Sequence, residues 1–308
     1  MLQKRHRFSD YLPILLSMSI CAWGPLIYKL YQKEGCDAFT MAFARVLPTS
    51  ITLCLWTWPK YRRELLAELK HPWRYLILAG VWVGALIACT IGAFKSTATL
   101  SMLVTRITPL TTIFASSFLF ADERRLIRKS GFLTGVALSF GGLLGLCLSR
   151  AGQSGQWRMT EGVEYLILAA LLWTVYGLLV KRWTYANPAV VSATLVFTAC
   201  ALAMTPVLFL MGNPYWFSQA QGSSLLILLA SGPLIIGIGE TLFYMSVVRL
   251  GLAPSVTISL IVPFITGLYA WPVLGEQPEM KLAGFGLLLL SGLGLIVWTR
   301  ERLQNRPQ

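Results

Sequence analysis

Three ionisable side chains stand inside apolar stretches of this chain. They are Arg45 in AFARVL, Arg106 in LSMLVTRITPLTTIFASSFLF and Glu240 in SGPLIIGIGETLFYMSVVRLG. A charge at membrane depth is costly, so each needs water, a partner or a ligand. Reckoned at 1.5 Å per residue, Arg106 lies about 10–12 Å inside its span, Arg45 lies at a similar depth, and Glu240 lies about 20–24 Å from the same face. Two guanidiniums in one half of the membrane, with no carboxylate at their depth, are candidates for holding a substrate carboxylate or phosphate. Glu240, beside Gly237 and Gly239, is a candidate proton or cation site. The alternatives are structural: a snorkelling or capping Arg45, and a Glu240 paired with Arg249 at its helix end.

Aromatic residues extend this set. Trp23 and Trp173 occupy matching places in two spans, and Tyr176 lies one turn beyond Trp173 on the same face. Trp82, together with Tyr244 four residues after Glu240, would complete an aromatic cage. A stripe of this kind serves packing as readily as binding. Pro109, Pro263, Pro25 and Pro233 interrupt spans, freeing carbonyls and marking candidate hinges. No nucleotide-binding loop, catalytic constellation or metal-ligand spacing is present. The six cysteines form no CxxC pair, and His6 and His71 lie in basic loops. No cofactor is expected.

These residues must be positioned by membrane helices. The 308 residues are 56% hydrophobic and 13% charged, with mean hydropathy +0.64. Runs long enough to cross a bilayer recur throughout. Ten spans are expected: 12–31, 39–58, 73–93, 99–120, 130–149, 162–180, 189–211, 224–246, 252–273 and 282–299. The basic, then apolar N-terminus reads as an uncleaved first helix, since its run is long and ends in no small-residue cleavage site. Placing the N-terminus inside puts eighteen Lys and Arg in cytoplasmic segments against six outside. Both termini are therefore expected in the cytoplasm. The net charge of +13 sits in these short loops. That distribution points to the anionic lipid surface and away from nucleic acid.

The halves look alike. Pro109 aligns with Pro263, Glu123 with Glu276, and Gly131-Phe132 with Gly284-Phe285. Upstream, Lys95 aligns with Arg249, and Trp23 and Lys29 with Trp173 and Lys181 at small offsets. These pairs recur about 150 residues apart. The expectation is an all-α polytopic membrane protein of ten transmembrane helices, built as two inverted five-helix repeats over residues 1–150 and 151–308. An odd number of spans per unit turns the second copy upside down, the architecture from which alternating access arises.

TPLTTIFASSFLFADERRLIRKSGFLTGVALSFGGLLGL and VPFITGLYAWPVLGEQPEMKLAGFGLLLLSGLGLIV resemble the repeat ends of EamA-type transporters of the drug/metabolite transporter superfamily. AFARVL resembles the start of that family's second helix. The resemblance implies ten helices, a central pathway and secondary transport of a metabolite, often export, with a peripheral closing helix in each half. The resulting expectation is an inner-membrane secondary carrier of a small amphoteric or anionic metabolite, amino-acid-like and exported, with protons as coupling ion. Uptake of an anionic or aromatic vitamin or nucleotide-like compound, and a flippase or channel of the same architecture, stand as alternatives. The small-residue fifth and tenth helices suit close packing, in a monomer or across a homodimer.

Overall fold

The computed structural model describes residues 10–95, 104–105, 107–154, 162–185, 187–274 and 280–304. Arg106 and Glu276 lie outside them. Every element among the described residues is helical. In chain order they are α1 (Leu12–Cys21), α2 (Gly24–Lys33), α3 (Ala38–Glu68), α4 (Pro72–Lys95), α5 (Ile107–Leu119), α6 (Ala121–Ile127), α7 (Ser130–Ser154), α8 (Val163–Thr184) and α9 (Ala189–Met211). Then come α10 (Trp216–Gln219), α11 (Gly222–Ser231), a π-helical segment (Gly232–Ile238), α12 (Gly239–Leu250), α13 (Leu252–Ile258), a 3-10 turn (Ser259–Ile261), α14 (Val262–Leu274) and α15 (Met280–Gln304).

Among the described residues six stretches are long and apolar enough to cross a membrane: Ala38–Glu68, Pro72–Gly92, Val163–Thr184, Ala189–Met211, Gly222–Leu250 and Leu252–Tyr269. Shorter apolar helices cover Leu12–Cys21, Ile107–Leu119, Ser130–Gly145 and Gly284–Thr299. Large apolar side chains also face outward, among them Leu55, Phe114, Leu210 and Leu287. In a helix whose backbone is satisfied internally, such a surface suits lipid. This is a multi-pass all-α membrane protein.

Several spans read as continuous are broken, and the breaks are satisfied across the chain. The first span divides at Ala22–Trp23, and Thr266 Oγ1 on α14 donates to the Ala22 carbonyl at 3.0 Å. The eighth runs from Gly222 to Leu250 through the π segment, and Ser17 on α1 donates to the Gly239 carbonyl at 2.8 Å. Pro25 stands in the first turn of α2 and Pro233 in the first turn of the π segment, where each lacks an N–H to donate. Pro109 and Pro263 likewise fall in the first turn of α5 and α14. The interruption thus lies just before Pro25 and Pro263, and the change to π geometry just before Pro233. The second span outruns its expected end at Trp58. Helix α3 bends at Tyr61, where φ is −126°, and continues to Glu68 as a polar extension.

Packing joins early helices to late ones. Helix α4 lies on α8 and α1 on α12; α3 packs on the π segment and α9 on α4; α5 packs on α8 and α14 on α1. Three further contacts link α3 to α9, α5 to α13 and α7 to α15. Exchanging each span for the one five places along maps these principal contacts onto one another. Along α7 and α15 the small residues allow backbone contact. A Cβ on Gly142 would stand 2.6 Å from the Leu289 nitrogen, and one on Gly292 2.6 Å from the Gly135 oxygen. The α3–α9 seam is hydroxylic: Thr57 and Thr194 hydroxyls are 2.7 Å apart, and Ser50 donates to Thr198 at 3.1 Å.

Candidate functional site

Glu240 opens α12, directly after the π segment, and is partly exposed amid buried neighbours. A π segment widens the helix by one residue per turn, a feature common beside functional sites. Glycines at 237 and 239 let this stretch approach other helices: Gly237 faces Thr49 and Leu53 of α3, and Gly239 faces Cys21 of α1.

Four helices supply the surroundings. The Trp82 indole of α4 lies beside the Glu240 carboxylate. Its ring meets Phe197 of α9 edge-on, centroids 5.2 Å apart, which fixes its orientation. Tyr244, one turn beyond Glu240, hydrogen-bonds Tyr176 of α8 through the phenol oxygens, and both rings are buried. Tyr176, Tyr244 and Cys200 of α9 all interact electrostatically with Glu240. A carboxylate within a largely aromatic wall can take up a proton or an ammonium group, and aromatic faces also attract cations.

Of the residues singled out from sequence, the fold thus gathers Glu240, Trp82, Tyr176 and Tyr244. Trp173 lies one turn before Tyr176 and is partly exposed. Trp23 stands elsewhere, stacked on Tyr269 with centroids 4.9 Å apart. Arg45 is buried on α3, where its backbone meets Gly232 at the start of the π segment. Eight residues separate Gly232 from Glu240, so Arg45 and Glu240 occupy levels roughly 10 Å apart. Arg106 lies outside the described residues. The alternative pairing of Glu240 with Arg249 is not adopted: Arg249 sits 3.9 Å from Asp10 at the far end of α12. Cys200 and Phe197 were not legible as site residues, since one cysteine or phenylalanine in an apolar helix carries no signal. No group of His, Cys, Asp and Glu able to hold a metal occurs among the described residues.

Apolar helices long enough to cross a bilayer define a multi-pass membrane protein, and Glu240 is recessed within it. The comparisons narrow the class. Residues 160–298 match the model of the EamA-like transporter family, the same family that the sequence resemblance names. An uncharacterized transporter of Archaeoglobus fulgidus is 24% identical over 92% of this chain and 96% of its own. An uncharacterized protein of Pseudomonas aeruginosa is 30% identical over 54% of this chain, and the match spans 55% of that relative's length. A protein solved by crystallography, 17% identical, superposes over 97% of this chain and 99% of its own with a TM-score of 0.79, a likeness of fold.

Proposed function

We propose that the protein is a secondary carrier of the inner membrane that works by alternating access. Its two inverted five-helix repeats, residues 1–150 and 151–308, move against each other around Glu240, with both termini cytoplasmic. The observation that carries this reading is the placement of Trp82 beside Glu240. It ties a helix of the first half to the broken helix of the second, at a partly exposed carboxylate. The exchange symmetry of the helix contacts supports the two-repeat architecture.

The substrate is a small amine-bearing metabolite, amphoteric and amino-acid-like, that is exported. Its ammonium group and a proton take turns on Glu240, while Trp82, Tyr176 and Tyr244 line its apolar part. Arg45, and Arg106 in the same half of the membrane, hold its carboxylate. The buried guanidinium of Arg45 favours a second reading, uptake of an anionic or aromatic compound without the amine. The small-residue faces of α7 and α15 are used within one chain, which supports a monomeric working unit.

Counterflow in proteoliposomes tests the proposal, with a mixture of radiolabelled amino acids as the probe and an imposed pH gradient as the drive. Saturable uptake into preloaded vesicles is expected. It should become insensitive to the gradient in Glu240→Gln, which keeps the size and shape of the side chain. Unsaturable flux, or a Glu240→Gln variant with unchanged gradient dependence, rejects it.

A further inference from the structure

The basic end of the bundle holds an arginine whose Nε meets no acceptor among the described residues. Arg74, in the first turn of α4, is partly exposed, and its guanidinium lies over the Trp73 ring, 5.6 Å from the centroid. Its Nε is buried without a hydrogen-bond partner. An arginine offers five N–H donors in a planar fork matched to phosphate or carboxylate. The nearest carboxylate in sequence, Glu68, is engaged: it accepts from Tyr75 at 2.7 Å, and the Tyr75 oxygen accepts from Asn187 at 3.3 Å.

The surroundings match one kind of ligand. Trp73, half exposed, meets Trp183 of α8 edge-on with centroids 5.2 Å apart. Lys70 and Arg182 are exposed on the same rim, and the α3 extension adds Lys60, Arg62 and Arg63. Against these five cations and Arg74, the described residues of the rim carry two carboxylates, Glu64 and Glu68. Just inward, Leu76 and Ile77 are exposed on α4. An anion with acyl chains satisfies the open Arg74 Nε and the apolar flank together. A free phosphate meets only the first need.

We infer that the niche formed by Arg74, Trp73 and Trp183 binds the phosphodiester headgroup of an anionic phospholipid. The tryptophans take the interfacial position that amphipathic rings prefer, and the rim cations add attraction toward an anionic leaflet. This inference does not depend on the transport reading.

Thermal unfolding of the purified protein in neutral detergent tests it, with phosphatidylglycerol, phosphatidylcholine or inorganic phosphate added. Phosphatidylglycerol is expected to raise the Tm by about 3–5 °C, and the other two by less than about 1 °C. Arg74→Gln should lose more than half of the phosphatidylglycerol shift. Arg125→Gln, on an exposed residue of α6, should keep it. Equal shifts from both lipids, a shift reproduced by phosphate alone, or a full shift in Arg74→Gln overturns the inference. If Arg74→Gln does not fold, the double variant Lys70→Gln/Arg182→Gln decides. It removes rim charge without touching the tryptophan pair, and an undiminished shift there also overturns the inference.

Discussion

Gly232 stands where its α-carbon hydrogen meets the backbone of Arg45: a Cβ built on it would lie 2.0 Å from the Arg45 carbonyl oxygen. The π segment and α3 are therefore in backbone contact at the level of the buried guanidinium, and any side chain must part them. Gly232→Ala is expected to lower stability by about 1–3 kcal/mol or more. Gly80→Ala, where a Cβ meets nothing within 4 Å, should stabilise α4 by roughly 0.5–1 kcal/mol. Unfolding curves of both variants in the same detergent check the contrast. Equal behaviour of the two would deny the close approach.

The phenol pair should behave as a unit. Tyr176→Phe or Tyr244→Phe leaves the other buried hydroxyl without its partner, at about 1–3 kcal/mol each. The double substitution removes the need for pairing and should be less damaging than the two singles summed, by about 1 kcal/mol. A double-mutant cycle measures this coupling, and strict additivity would show that the hydrogen bond contributes nothing.

Asp37 is a cap and a tether at once. One carboxylate oxygen accepts from the Phe39 and Thr40 amides at 2.9 and 3.0 Å, and the other accepts from the Asn213 amide at 3.0 Å. Asp37→Ala therefore loosens the start of α3 and its tie to the segment after α9 together. A loss of about 1–2 kcal/mol is expected. Hydrogen exchange should rise at Phe39, Thr40 and Asn213. A rise confined to Phe39 and Thr40 would leave the cap and remove the tether.

Cys36, in the loop between α2 and α3, is buried, and burial pushes its thiol up to about 12, with the Asp37 and Glu34 carboxylates adding to the rise. The neutral thiol is thus favoured throughout the physiological range, and the thiolate grows only as pH climbs toward 12. At pH 8 the thiolate population should be about a thousandfold below that of an unperturbed thiol. Alkylation by iodoacetamide, read by peptide mass spectrometry, should be correspondingly slow in folded protein and fast in denaturant. Labelling at a model thiol's rate in the folded state would contradict this.

The membrane class was legible because it depends only on local composition: Ala189–Met211 reads the same as a string and as a helix. Breaks were less legible. The prolines announced that helices are interrupted, yet the exact positions follow from partners far away. Thr266 accommodates the open carbonyl at Ala22, and nothing around residue 22 names it. Glu240 drew attention alone, as a carboxylate in an apolar run. That Trp82 rather than Trp23 reaches it was not readable, since both are tryptophans in membrane helices and only the crossing of α4 with α12 separates them.

The sequence by itself determined that this chain lives in lipid, that its second half is similar to the EamA-like transporter family and that a few buried charges need an explanation. Each of these follows from hydrophobic run length and residue chemistry, which act over a few turns of chain. Tertiary structure alone decided which charges meet which rings. Helices packed around one another bring residues such as 82, 176, 200 and 240 together through their crossings, and no periodicity along a single helix encodes where another helix will cross it.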